Sequence, residues 1–89
     1  MPVVEFAPAL TRHVPCSAQH VEAGTLRGAL DAALQAAPPL RDYVLDEQGA
    51  VRKHVAVFVN GRQIADRARL DVPLGEGDTI MVIQALTGG

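Results

Sequence analysis

Six apolar residues, Leu26, Ala29, Leu30, Ala33, Leu34 and Ala37, recur at spacings of three, one, three, one and three. That rhythm lays a single apolar stripe along one side of an α-helix. Thr25 stands just ahead of it as an N-cap, able to accept an orphan backbone N–H. Pro38-Pro39 stops it. Arg27, Asp31 and Gln35 fall on the wet side. Gly28 costs about 1 kcal/mol relative to alanine inside a helix, which suggests that the helix passes close to a sheet there. A helix with one stripe must cover something, and the rest of the chain offers mainly short β-prone runs.

Those runs can be placed in order. Val3-Val4-Glu5-Phe6-Ala7 is a first strand, ended by Pro8, with Val4 and Phe6 on one face. Residues 9–15 mix Pro, Thr, Arg and His and read as a loop. Residues 17–22 form a weak second strand with Ala18 and Val21 as its apolar positions. After the helix, residues 40–45 read as irregular or a single turn, and residues 46–49 as a polar turn. Residues 53–59 are a strong strand. Asn60-Gly61 tolerates the positive φ of a type I′ turn, so residues 62–65 pair back. Residues 66–74 form a crossing loop, residues 75–78 a tight turn, and residues 79–84 the last strand. The order strand, strand, helix, strand, strand, strand predicts an α+β fold. It is a mixed sheet of about five strands with one main helix on one face, the β-grasp or ubiquitin-like arrangement.

A length of 89 residues allows one domain with one modest core. Residues 1–85 are expected to form the β-grasp domain and residues 86–89 a C-terminal Gly-Gly tail. Hydrophobic content of 48% with 20% charged residues fits a globular chain. The formal net charge is −2, and Arg52-Lys53 is the longest basic run. This argues against a nucleic-acid partner, which needs a basic stripe. No apolar run has the length of a membrane span, and the N-terminus has no signal-peptide core; a cytoplasmic location is expected. Cys16 stands alone, so no internal disulfide forms. His13, His20 and His54 are far apart in sequence, and no metal site is expected. Asp46-Glu47 near Arg52-Lys53 reads as a solvated loop.

Alternation along the strands divides their residues. Val55, Val57 and Val59, with Ile80 and Val82, should face the helix stripe. Phe58, Met81 and Ile83 then share the opposite face, which a single helix cannot cover, and together they form a candidate partner-binding patch. The strand carrying Met81 and Ile83 leads into Leu86-Thr87-Gly88-Gly89, a stretch with no charged side chain. Glycine loses the most backbone entropy on ordering. A pair at the end suits a thin tail that threads a narrow slot and presents the Gly89 carboxylate. No side chain in the sequence makes a convincing catalyst, so the chain reads as a substrate or subunit rather than an enzyme.

The β-grasp order, Val59-Asn60-Gly61, the Gly75-Glu76-Gly77-Asp78 turn into residues 79–83, and the terminal Thr87-Gly88-Gly89 resemble the MoaD/ThiS sulfur carriers. These include the small subunit of molybdopterin synthase and relatives in thiamine and cysteine biosynthesis. The resemblance implies that an E1-like adenylyltransferase uses ATP to adenylate Gly89. A sulfur donor then converts the acyl-adenylate to a thiocarboxylate. A sulfur-accepting enzyme, the molybdopterin synthase large subunit or a cysteine synthase-like protein, consumes it. It implies no bound cofactor, ATP being used by the activating partner. Gly88 would be the slim neighbour, Leu86 and Thr87 would line the partner's channel, and Phe58 and Ile83 would make apolar partner contacts. Gln84-Ala85 stand where molybdopterin synthase small subunits commonly carry prolines. Residues 46–60 look more like the carrier of cysteine biosynthesis. The small-subunit role stays open as an alternative, as do a ubiquitin-like protein modifier and a non-catalytic β-grasp interaction domain.

Overall fold

The computed structural model describes residues 1–11 and 18–84. The stripe on residues 26–37 is the centre of its core: all six apolar residues are buried. They lie on α2 (Leu26–Gln35) and just after it. Thr25 is extended, and its Oγ1 accepts from the Gly28 N–H at 3.2 Å. The Leu26 and Arg27 N–H groups donate to the carbonyls of Val72 and Leu70 at 2.9 and 2.8 Å. Three donors that a helix start leaves orphaned are therefore satisfied. Leu70 reaches this position with φ +54° and its side chain fully buried, a backbone state that a bulky residue rarely adopts.

The sheet comprises β1 (Val3–Phe6), β2 (Gln19–His20), β3 (Val55–Val59), β4 (Arg62–Gln63) and β5 (Thr79–Gln84), in the order β2-β1-β5-β3-β4. β1 and β5 are parallel, and the other neighbours are antiparallel. This is the β-grasp fold, with β5 at the centre of the sheet. Val4, Phe6, Val55, Val57, Ile80 and Val82 join the α2 stripe in one buried cluster. Each fully buried aliphatic side chain contributes about 1.5–3 kcal/mol.

The Asn60-Gly61 turn has φ +51° and +84°, the type I′ signature. Its Asn60 side chain donates to Asp78 Oδ1 at 3.0 Å and accepts from the Thr79 N–H at 2.9 Å. Asp78 Oδ2 accepts from the Gly75 N–H at 2.8 Å. The hairpin and the turn that starts β5 are thus knitted together.

Several local expectations change. Pro38-Pro39 does follow the end of α2, but it also opens α3 (Pro38–Val44), because proline's fixed φ suits a first helical turn. Leu40 and Val44, four apart, are that helix's buried pair. Pro8 likewise opens a helical turn, α1 (Pro8–Thr11), within the expected loop. Residues 53 and 54 form a turn rather than strand, closed by the Val55 N–H donating to the Arg52 carbonyl at 3.0 Å. The second strand shrinks to Gln19–His20, with Val21 buried and Ala18 exposed.

Arg27 is not simply on the wet side: its guanidinium donates to the carbonyls of Gly49 at 2.5 Å and Ala68 at 2.7 Å. Gly28 does not admit the sheet. A Cβ there would meet Ala23 Cβ at 3.4 Å and Thr25 Oγ1 at 3.5 Å, both in the helix's own approach.

Candidate functional site

Because strand side chains alternate, the registers say what the face away from α2 presents. Met81 lies opposite Phe58 on one side and Glu5 on the other, and Ile83 lies opposite Ala56. Directly opposed Cβ atoms sit about 4.5–5.5 Å apart, so these residues form one continuous surface. Phe58, Met81 and Ile83 are half-buried and do not join the core cluster. Val3 and Thr79 extend the surface in the same register, with His20 beyond Val3 and Gln63 beyond Phe58. Glu5 is the one carboxylate on it, and no ion-pair partner for Glu5 exists among the described residues.

The placement of this surface follows from β5. Held between β1 and β3, β5 has hydrogen-bonding neighbours on both edges. It ends at Gln84, opposite Val55. Near that end the Ala7 N–H donates to the Val82 carbonyl at 2.9 Å. Leu86, Thr87, Gly88 and Gly89 follow in sequence and lie outside the described residues. The strand from which they continue is the most internal of the sheet, so whatever grips the open face grips the element that leads to the tail.

The β3 end beside Gln84 carries a group that sequence reasoning left as a solvated loop. Arg67 donates from Nε to the Val51 carbonyl at 3.3 Å and from Nη2 to the carbonyls of Arg52 and Val55. Arg52 Nε donates to the Asp42 carbonyl at 2.9 Å. His54 packs edge-on against Tyr43, ring centroids 4.7 Å apart. The adjacent basic pair Arg52-Lys53 was the signal available in the sequence; its neighbour Arg67, fifteen positions on, was not. Glu5 was missed for a similar reason, since its proximity to Met81 needs the parallel register.

Three carboxylates have pKa values below the ordinary range, and in each the main chain is the leading cause. The Ala50 N–H holds Asp46 down, the Arg69 N–H holds Asp66 down, and the Gly75 N–H, aided by Asn60, holds Asp78 down. All three brace turns. Among the described residues no three His, Cys, Asp or Glu side chains gather as metal ligands; His13 and Cys16 lie outside those residues. No helix among them is long and apolar enough to cross a membrane.

A family model described as the ThiS family matches residues 11–89. Among curated proteins, none matches. Similar folds are found in solved structures. SAMP1 from Haloferax volcanii superposes with a TM-score of 0.81 at 24% identity, covering 99% of this chain and 98% of that one. A chain of the Amycolatopsis orientalis BexX/CysO complex gives 0.80 at 17% identity, covering 100% of both chains. CysO from Mycobacterium tuberculosis gives 0.79 at 16% identity, covering 97% of this chain and 100% of that one.

Proposed function

The chain belongs to the ThiS family, and from that premise we propose that it is a sulfur carrier whose reactive group is the Gly89 carboxylate. The observation that carries the reading is the family match, which runs to Gly89. In the proposed reaction a Gly89 carboxylate oxygen attacks the α-phosphorus of ATP on an E1-like adenylyltransferase, and pyrophosphate leaves. A sulfur donor at the sulfide level then attacks the acyl carbon through its sulfur, the acyl–phosphate bond breaks and AMP leaves, giving the thiocarboxylate and a proton. A carboxylate is a poor acyl donor, and adenylation supplies the leaving group. The chain contributes no catalytic side chain. It contributes position, because orienting a reactive group supplies much of a rate enhancement. Phe58, Met81 and Ile83 form the gripped patch, Leu86 and Thr87 line the partner's channel, and Gly88 keeps the tail slim.

The sulfur-accepting partner on this reading is a cysteine synthase-like enzyme or one serving another sulfur metabolite, in preference to the molybdopterin synthase large subunit. The likeness to proteins named CysO and the Gln84-Ala85 pair support that preference. A second reading, a protein modifier that forms an isopeptide bond through Gly89, draws on the likeness to SAMP1, a small archaeal modifier protein by name.

Intact mass tests both. After incubation with ATP, the host's E1-like enzyme and sulfide, the chain should gain the mass of sulfur for oxygen, located on Gly89 and absent after Gly89 deletion. Recovery of the chain on lysines of other proteins with no such gain would favour the modifier. Neither product, with the chain still bound to its partners, removes the carrier reading.

A further inference from the structure

Since β3 runs antiparallel to β5 with Val55 opposite Gln84, the turn at residues 52–54 lies at the end of the sheet where β5 finishes. A cleft of about 490 Å³ opens there, lined by Asp46, Val51, Arg52, Lys53, His54 and Arg67. Three of these side chains, Arg52, Lys53 and Arg67, are basic on a chain whose formal net charge is −2. Its one carboxylate, Asp46, accepts the N–H groups of Gln48 and Ala50 on Oδ1 and is attracted to the charge of Arg52. Among the described residues none of the three cations makes an ion pair. The main chain holds two of them instead: Arg67 through the Val51, Arg52 and Val55 carbonyls, and Arg52 through the Asp42 carbonyl. His54 Nε2, buried beside them, has no hydrogen-bond partner among the described residues. The cleft thus gathers three cations against one carboxylate, Asp46, whose charge offsets part of that of Arg52.

We propose that this cleft docks a carboxylate-bearing segment, aspartate or glutamate side chains, on the rim of the enzyme that takes up the tail. The inference rests on the carrier reading. Five residues follow Gln84, and even fully extended they span at most about 17 Å. A protein that engages Gly89 is therefore brought within that distance of the cleft. The cleft sits at the base of the tail, so it meets the enzyme's surface and not the nucleotide at the tail's tip. The Arg52 guanidinium, held at Nε by the Asp42 carbonyl, loses little rotamer freedom on binding and keeps Nη1 and Nη2 for the planar fork of a carboxylate, while Arg67, its Nε and Nη2 spent on carbonyls, adds charge. Complementary charge at such a rim sets association rate and partner choice more than chemistry.

The test compares the full chain with a Lys53→Glu/Arg52→Gln variant in adenylation by the host's E1-like enzyme. Arg67 is spared because its guanidinium braces the loop. Lys53 is exposed and Arg52→Gln gives up one hydrogen bond, to the Asp42 carbonyl, so the variant's melting temperature should fall by no more than about 8 °C. The expected result is a KM for the carrier about tenfold higher with kcat within about twofold, and a loss of the salt dependence of kcat/KM. An unchanged KM, or a fall in kcat alone, overturns the proposal. Sodium phosphate should inhibit no more than sodium chloride at equal ionic strength. Stronger inhibition by phosphate makes this a small-anion site and also overturns it. Calorimetric binding to the same enzyme without ATP separates the two readings. A chain that binds with salt-dependent affinity lost in the variant, yet is never adenylated, supports the cleft and sinks the carrier chemistry. Adenylation with equal KM in both chains does the reverse, and absence of binding overturns both.

Discussion

Val57 and Phe58 are neighbours in β3, yet Val57 is 1% exposed while Phe58 is left half-buried. The same contrast runs through β5, where Ile80 and Val82 are sealed under α2 and Met81 and Ile83 are not. One backbone therefore carries two apolar surfaces. The first is consumed by the fold. The second stays half-buried outside the core cluster, with Glu5 beside Met81, a carboxylate that a docking partner must hydrogen-bond or pair. Apolar side chains left partly exposed in one patch mark interaction more often than accident. The difference between the faces thus separates what holds the molecule together from what it offers to others.

The sharpest way to break that contrast is to truncate one residue on each side of the sheet. Leu30→Ala should lower stability by about 2–5 kcal/mol, because it leaves a cavity under a fully buried side chain. Urea unfolding followed by circular dichroism reads this directly. The next largest effect should come from Arg27→Met, which removes the two hydrogen bonds tying α2 to the loops at Gly49 and Ala68. A loss of about 1–3 kcal/mol is expected by the same measurement. Equal unfolding midpoints for Arg27→Met and the unmodified chain would mean that packing alone seats α2 on the covered face. By contrast Met81→Ala should cost about 1 kcal/mol or less in the isolated chain, while weakening partner binding measured by calorimetry. A Met81→Ala loss as large as that of Leu30→Ala would erase the distinction between the faces.

Much of the covered face was legible in the sequence. The six-residue stripe, the Thr25 cap, the Asn60-Gly61 turn and the β3 and β5 alternation are all local signals, written within a turn or a strand. What was not legible depends on residues brought together from afar. α3 carries only two buried residues, too few to show a period. Arg27 and Arg67 look like surface charges until the loops they clasp are in place. Glu5 joins the open face only through a parallel register that no local pattern encodes. Phe58, Met81 and Ile83 could be assigned to one face from alternation, whereas the basic cleft beside Gln84 could not be assembled from sequence at all. Leu86 to Gly89 were read from composition and family pattern, and they lie outside the described residues.

Gly28 gives a smaller effect of opposite sign. It sits in the first turn of α2, and a Cβ there meets only ordinary contacts. Gly28→Ala should stabilise by about 0.5–1 kcal/mol through lower unfolded-chain entropy. Destabilisation on thermal melting would restore a close-packing role for this glycine on the covered face.

Acid should test the third class of residue, which belongs to neither face. Asp46, Asp66 and Asp78 each accept backbone N–H bonds in turns at the rim of the sheet, and their pKa values are depressed for that reason. A carboxylate with a folded pKa below its unfolded value of about 3.9 contributes stability that is fully present above that value. The contribution is lost as pH falls through the folded pKa. Stability should therefore show no dependence on these groups between pH 7 and pH 5 and should fall below about pH 4. Asp78→Asn should flatten that fall, since the amide keeps an acceptor for the Gly75 N–H but no longer titrates. The effect is small because all three groups are solvated. Its location matters more than its size: hydrogen exchange should quicken first in the 46–50, 66–69 and 75–78 turns, with β5 protected until global unfolding. If β5 opened together with the turns, the strand leading to the tail would be no more firmly held than the rim. The open face could then not serve as a rigid grip for aiming Gly89.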